Sequence, residues 1–350
     1  MSILPDNVIF TNNIASCSVL SELISGQKSF ILVDQNTREY CLPLLADFDL
    51  KKLTIIEISS GEEYKNINTL QYIIEALGKN GADRKSLFIN LGGGVISDMG
   101  GLAASLFKRG VRFVNIPTTL LAQVDASCGG KLAIDSNGLK NEIGLFNNPY
   151  KVFISPEFLK TLPVEQLTSG LAEAVKHSLI LKPDYFNDIL MFNPVNPDYE
   201  LLGQLVKTSV EVKNFFVSKD PFEHDIRKML NFGHTIGHAI ESFSFTQNTP
   251  LLHGHAVAAG MVCELWLSCK YLNFPEFEMI EAVGFIKKYY AHFWFSSYDF
   301  DALYSLMLHD KKNDNGTINF SLLEAPGKFK INCVCSKEDI FNSLNFYINL

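Results

Sequence analysis

The hydrophobic pattern of this chain changes character near its middle. In the first half, short β-branched or aromatic runs recur: "SFILVD" (29–34), "LTIIEIS" (53–59), "SLFINL" (86–91) and "RFVNIP" (112–117). Between them, apolar residues fall at helical spacing, notably in "NTLQYIIEALGKNG" (68–81) and "DMGGLAASLFKRG" (98–110). Strands alternating with helices predict a mainly parallel sheet covered by helices. From "PEFLKTLP" onward the segments are long and helically periodic, as in "GLAEAVKHSLIL", "YELLGQLVKTSVEVKNFF" and "GHAVAAGMVCELWLSCKYL". "GTINFSLLEAPG" (316–327) alone reads as a late strand or hairpin. The pattern predicts an α/β nucleotide-type domain with a parallel sheet over 1–155 and a mostly α-helical domain over 156–350. Open sheets of this kind take ligands beyond the C-terminal ends of their strands, so the expected cleft lies between the two domains.

Composition narrows the partners. A length of 350 residues with 47% hydrophobic content suits one large or two ordinary globular domains. No apolar run is long enough to span a membrane, and "MSILPDNVIF" lacks the basic and apolar regions of a secretion signal. Seven cysteines without a CxxC pair suggest reduced thiols and a cytoplasmic setting. The net charge of −8 argues against a nucleic-acid surface. An anionic substrate therefore needs a local cluster of Lys and Arg.

Two stretches carry candidate chemistry. "INLGGGVISDMGG" puts three glycines between a strand and a helix start, where backbone N–H groups suit a pyrophosphate. It is not GxGxxG, and a tight strand-to-helix turn explains a lone triple glycine as well. Asp34 closes the first strong strand, where a carboxylate commonly bonds ribose or adenine. In "MLNFGHTIGHAIE", His234 and His238 share one helix face. Alone, the pair fits satisfied core histidines more readily than a metal site.

The run "RGVRFVNIPTTLLAQVDASCGGKLAIDSNGLKNEIGLF" (109–146) sets single charges among apolar segments, as a walled polar cleft would. Here a resemblance becomes specific. GGGVxxDxxG, RGxxFxxxPTTLLAxxDxSxGGK, KNxxGxF, GLAExxKH, LNFGHTxGHAIE and HGxAVAxGM follow in order across residues 92 to 261, with GEEYK at 61–65 and DKK at 310–312. The chain resembles the 3-dehydroquinate synthase family over most of its length.

That resemblance implies one NAD and one divalent metal, usually Zn2+ with Co2+ as an alternative. It also implies conversion of 3-deoxy-D-arabino-heptulosonate 7-phosphate, a small phosphorylated keto acid, into 3-dehydroquinate and phosphate. By residue-by-residue match, Glu173, His234 and His253 fall on the metal ligands. Lys131, Asn141 and His238 fall on phosphate positions, with Arg109 reaching in from the second subunit of a homodimer. Lys213 and Arg227 match the carboxylate positions, and Asp125, Lys176, Glu223 and Asn231 those that hold hydroxyls and relay protons. One of Lys311 and Lys312 is expected to close over the substrate. For NAD the matches are Asp34, Glu62, Lys65, Gly93, Gly94, Val95, Asp98, Thr118, Thr119, Lys140 and Thr161. A strand-to-helix cap would suit the Thr118-Thr119 pair equally well.

Some positions depart from the pattern: Cys128, Leu132, Ala133, the "SNGLKN" approach to Lys140, Glu165-Gln166, and His255 where Glu is frequent. None falls on a metal or charge-pairing position. The rival readings are another sugar-phosphate cyclase, whose substrate lacks a carboxylate, a metal-dependent polyol dehydrogenase, and a non-catalytic NAD- or metal-binding paralogue.

Overall fold

A computed structural model describes residues 4–49, 53–136, 139–308 and 317–350. The expected substrate lysines, Lys311 and Lys312, lie outside the described residues. The chain divides into two compact units: Met1–Pro163 with Leu202–Asn214, and Val164–Leu201 with Phe215–Leu350.

The first unit is built on β1 (Val8–Phe10), α1 (Ser18–Ser25), β2 (Ser29–Asp34), α2 (Gln35–Tyr40), β3 (Leu53–Ile58), α3 (Ile67–Lys79), β4 (Leu87–Gly92), α4 (Gly94–Leu106) and β5 (Arg112–Pro117). A hairpin of β6 (Lys131–Ser136) and β7 (Leu139–Phe146) follows, then β8 (Lys151–Ile154). Six strands pair in parallel in the order β1-β8-β5-β4-β2-β3. Alternation along each strand feeds two cores. Phe30, Leu32 and Phe88 pack with α3, α4 and the hairpin residues Leu132 and Ile134. Ile31, Val33, Ile89 and Leu91 pack on the other face with Leu20 of α1 and Phe158.

The predicted strands at 29–34 and 112–117 appear with those bounds, and the predicted helix at 68–81 as α3. The helix expected at 98–110 instead starts at Gly94 and stops at Leu106, because Lys108 is left-handed at φ 50. The hairpin lies inside the run read only as punctuated polar sequence.

The second unit contains α5 (Val164–Ile180), α6 (Asp184–Met191), the two ends of α7 (Tyr199–Lys219), α8 (His234–Thr246), α9 (His253–Leu272), α10 (Glu276–Tyr289) and α11 (Phe300–Leu308). The late strand or hairpin expected at 316–327 holds β9 (Phe320–Ala325), whose partner β10 (Lys328–Cys333) lies beyond the expected stretch, and α12 (Lys337–Ile348) follows. Asp198 caps α7 by accepting the Glu200 and Leu201 N–H groups, and Ser336 caps α12.

Candidate active site

In the first unit the polar residues gather at the C-terminal ends of adjacent parallel strands. β2 pairs with β3 on one side and β4 on the other, so the order reverses direction there, at a topological switch point. Asp34 ends β2, Gly93-Gly94 follows β4, and Thr118-Thr119 follows β5, with the Thr118 N–H on Gly92 O at 3.1 Å. Gly93 caps α4 without a side chain. The first-turn N–H groups of α4, Val95 included, therefore present their partial positive charge without a side-chain cap, as an anion site requires. Asp34 also acts locally, its side chain accepting the Thr37 N–H at 2.8 Å in a capping box. Thr119 Oγ1 accepts the Ala122 N–H at 3.1 Å, the capping role the sequence allowed. Thr161 is exposed at the end of a short helical turn.

Lys65 ties several expected cofactor residues together. Its buried Nζ lies 2.7 Å from Asp98 Oδ2, 3.9 Å from Glu62 Oε1, and donates to Asn141 Oδ1 at 2.6 Å. Lys140 Nζ lies 4.0 Å from the same Glu62 oxygen. Burial alone would lower the Lys65 ammonium, but Asp98, Glu62 and Asp135 hold it above the usual lysine value. Burial raises the Asp98 carboxyl against the pull of Lys65. The surrounding carboxylates keep the lysine charged despite its burial. A closed ring of bonds joins this group to the hairpin: Asp135 N–H to Lys65 O at 2.8 Å, and Asn141 N–H to Asp135 Oδ1 at 2.7 Å. Because Asn141 Oδ1 is committed to Lys65, its NH2 side points the other way as a donor.

Asp125 sits on a π-helical turn, Ala122–Ala126, the kind of irregularity frequent at functional sites. Lys213 Nζ meets both Asp125 Oδ1 and its carbonyl oxygen at 2.7 Å. Beside them, burial raises the Cys128 thiol and so keeps it unreactive. Lys131 opens β6 opposite Phe146, toward the far end of the hairpin from Asn141.

In the second unit, electron-rich atoms converge. Glu173 of α5 is 1% exposed, and among the described residues its Oε1 finds no hydrogen-bond donor. That oxygen lies 3.4 Å from His234 Nε2 and 3.9 Å from His253 Nε2. His234 Nδ1 is 3.1 Å from Phe232 O, which only accepts, so Nδ1 carries a proton and in the neutral ring Nε2 carries the lone pair. His253 Nδ1 is 3.3 Å from Glu241 Oε2, which fixes the same tautomer. Two imidazole lone pairs and a carboxylate oxygen facing one another call for a cation. Tetrahedral zinc with ligand bonds near 2.1 Å separates its donors by about 3.4 Å, which the His234 distance matches and the His253 distance exceeds by half an ångström. Lys176 Nζ pairs with the other oxygen, Glu173 Oε2, leaving Oε1 to face the rings. Nitrogens of His234, His238 and His253 lie within 4.8 Å of one another, so His238 borders the same centre.

Glycine contacts set the spacing of the helices. A Cβ on Gly254 would stand 1.8 Å from Ser169 O, so α9 approaches α5 only because the side chain is missing. His255, the departure beside the ligand, bonds Thr168 Oγ1 across the same contact at 3.0 Å. Gly254→Ala should cost about 1–3 kcal/mol by overpacking. It should also lower zinc content, because Glu173 and His253 move apart. Denaturant midpoints and metal analysis check this, and an unchanged zinc content would contradict it.

The segment 220–231 presents the remaining expected groups. Asp220 accepts N–H groups of His224, Asp225 and Arg227 at 2.9, 2.7 and 3.1 Å. Burial would raise this carboxyl, yet the three donors together hold it below its usual value. Arg227 is 1% exposed and donates to Pro221 O. Asn231 Nδ2 donates to Glu223 Oε1 at 2.7 Å. Glu223 is left-handed at φ 62. Among described non-glycine residues with positive φ, those that are not asparagine are Lys108, Arg109 and Glu223. Backbone strain of this kind collects at functional positions.

Three positioning carboxylates escaped the sequence reading: Asp220, Glu241 and Glu264. Glu241 closes the quoted GHAIE motif, and Glu264 is the lone acidic residue of α9, so faint signals existed. Glu264 accepts backbone N–H groups at the start of α8.

Other proteins are similar to this chain in sequence and in fold. Residues 55–169 match the family model described as 3-dehydroquinate synthase N-terminal, and residues 170–313 the one described as 3-dehydroquinate synthase C-terminal. The 3-dehydroquinate synthase of Parabacteroides distasonis is 50% identical over 334 residues, 94% of this chain and 95% of that one. That of Sulfurovum sp. is 38% identical over 333 residues, 94% of each. A crystal structure of 2-deoxy-scyllo-inosose synthase with carbaglucose-6-phosphate, NAD+ and Co2+ superposes with a TM-score of 0.85 at 25% identity, covering 97% of this chain and 96% of that one.

Proposed function

The chain belongs to the 3-dehydroquinate synthase family. From that premise we propose that it converts 3-deoxy-D-arabino-heptulosonate 7-phosphate into 3-dehydroquinate and phosphate, a step of the shikimate pathway toward aromatic amino acids. The observation that carries this reading is the convergence of His234 Nε2 and His253 Nε2 on Glu173 Oε1, a buried oxygen that no donor among the described residues satisfies. NAD, when bound, supplies reversible hydride acceptance at the substrate's C5, and zinc or cobalt supplies Lewis acidity at the oxygen being oxidised.

The protein's own groups then divide the work. The α4 N-terminus with Gly93, Gly94 and Val95 holds the pyrophosphate. Asp34, Glu62, Lys65, Asp98, Thr118, Thr119, Lys140 and Thr161 complete the dinucleotide site. Lys131, Asn141 and His238 bind the phosphate that leaves, and the donor orientation of Asn141 supports this assignment. Lys213 and Arg227 bind the carboxylate. Lys176, Glu223, Asn231 and Asp125 hold hydroxyls and pass protons, with Asn231 and Glu223 orienting each other. A cytoplasmic homodimer without membrane or nucleic-acid partners belongs to the same reading. The free cysteines support a reducing setting, and no described helix is long and apolar enough to cross a membrane.

The test supplies purified protein with the heptulosonate phosphate, NAD and zinc, and follows phosphate release and the carbocyclic product. Absence of both, with cofactors bound, defeats the proposal. A sharper check is Arg227→Met: losing a buried charged partner should weaken substrate binding roughly a hundredfold while NAD affinity holds. An unchanged KM would point to a sugar phosphate without a carboxylate.

A further inference from the structure

Helix α8 starts without a cap of its own. Its N-cap is Gly233, at φ 79, which has no side chain to accept the first-turn N–H groups. Another helix meets them. Glu264 of α9, fully buried, accepts the Gly233 N–H on Oε2 at 2.6 Å, and the Thr235 and Ile236 N–H groups on Oε1 at 3.1 and 3.2 Å. His234 sits between those donors as the first residue of the helix. Its ring is aimed by the 3.1 Å contact from Nδ1 to the carbonyl of Phe232, immediately upstream in the same turn. α9 lies close enough because Gly260, one helical turn before Glu264, has no side chain: a Cβ there would stand 2.0 Å from Gly233 O.

One helix thus does two things. Its first residue is His253, and about three turns later Glu264 grips the backbone that carries His234. A buried carboxylate at a helix start is favoured by the helix dipole and by charge-assisted bonds, so the grip is firm. We propose that Glu264 is a positioning residue of the metal centre, clamping the turn around Gly233 so that His234 Nε2 and His253 Nε2 face Glu173 together. This rests on the proposed ligand set of Glu173, His234 and His253.

The experiment uses the full-length protein with Co2+ as probe. It reads affinity by chelator competition, the visible absorption of the cobalt form, and thermal unfolding of the metal-free protein. Glu264→Gln keeps one acceptor but sets an NH2 group against backbone donors. It should bind Co2+ 10- to 100-fold more weakly, with a changed visible band. Leu265→Ala removes a buried side chain from the same turn of α9 without touching the clamp. It should lower the unfolding temperature yet bind Co2+ as the unaltered protein does. Wild-type affinity and spectrum in Glu264→Gln, or equal weakening in Leu265→Ala, overturns the proposal. If Glu264→Gln does not fold, Glu264→Asp, which withdraws the carboxylate by one methylene, carries the same readout. His234→Ala separates the two failures. Full Co2+ affinity there would sink the ligand set itself, while its loss beside an unaffected Glu264→Gln would sink only the role of Glu264.

Discussion

His234→Ala is expected to yield a folded protein without its metal and without turnover. Three protein ligands leave no redundancy in a catalytic site with an open position. Apparent binding free energies of about 10–16 kcal/mol for four-ligand zinc sites put one ligand's share near 3 kcal/mol, or more than about a hundredfold in affinity. The metal-free variant should unfold no earlier than the metal-free parent. The substitution removes one of the electron-rich atoms that otherwise face Glu173 Oε1, itself without a hydrogen-bond donor among the described residues. Metal analysis, phosphate release and thermal unfolding of the stripped proteins check the three statements. Full occupancy in the variant would remove His234 from the centre, and an early loss of structure would make it a packing residue.

What was legible in the sequence follows from how far each signal reaches. β2 and β5 were legible because a strand buried on both faces is a mostly apolar run, interrupted in β5 only by Asn115 after its opening Arg112. The hairpin β6–β7 was not: Leu132 and Ile134 turn inward while Asp135 and Asn141 hold polar partners, so its alternation is short and interrupted. The metal ligands came from ordered motifs and a resemblance, since a pair of histidines one turn apart on its own fits a core better. Glu241 reads locally as a solvated helix residue one turn past His238. Its partner His253 lies beyond the end of its helix, and only packing brings the two to 3.3 Å. Glu264 shows the same limit more sharply. A carboxylate in an apolar helix announces a buried partner, but not that the partners are three amides of the preceding helix.

Mixing two inactive variants, Arg109→Ala and His234→Ala, should restore activity once subunits exchange. α4 starts behind the glycine loop and its thirteen residues carry the chain about 20 Å away, so Arg109 is led away from its own dinucleotide loop. It does not return by its own contacts. Arg109 is exposed, and no described residue holds its guanidinium by a hydrogen bond or ion pair. Its backbone is nonetheless strained: Lys108, Arg109 and Gly110 stand in succession at φ 50, 68 and 113. For the two non-glycine residues that costs on the order of 1–3 kcal/mol each, a cost that needs a function to maintain it. A second subunit's phosphate site would provide one. In a twofold dimer, a mixed pair contains one site with both residues intact and one with neither. Random exchange makes half the dimers mixed, so recovery should approach about a quarter of parental activity. Each variant alone should stay inactive at every concentration. Mass spectrometry that shows exchanged dimers without recovered phosphate release would place the action of Arg109 within its own chain, or nowhere in the reaction.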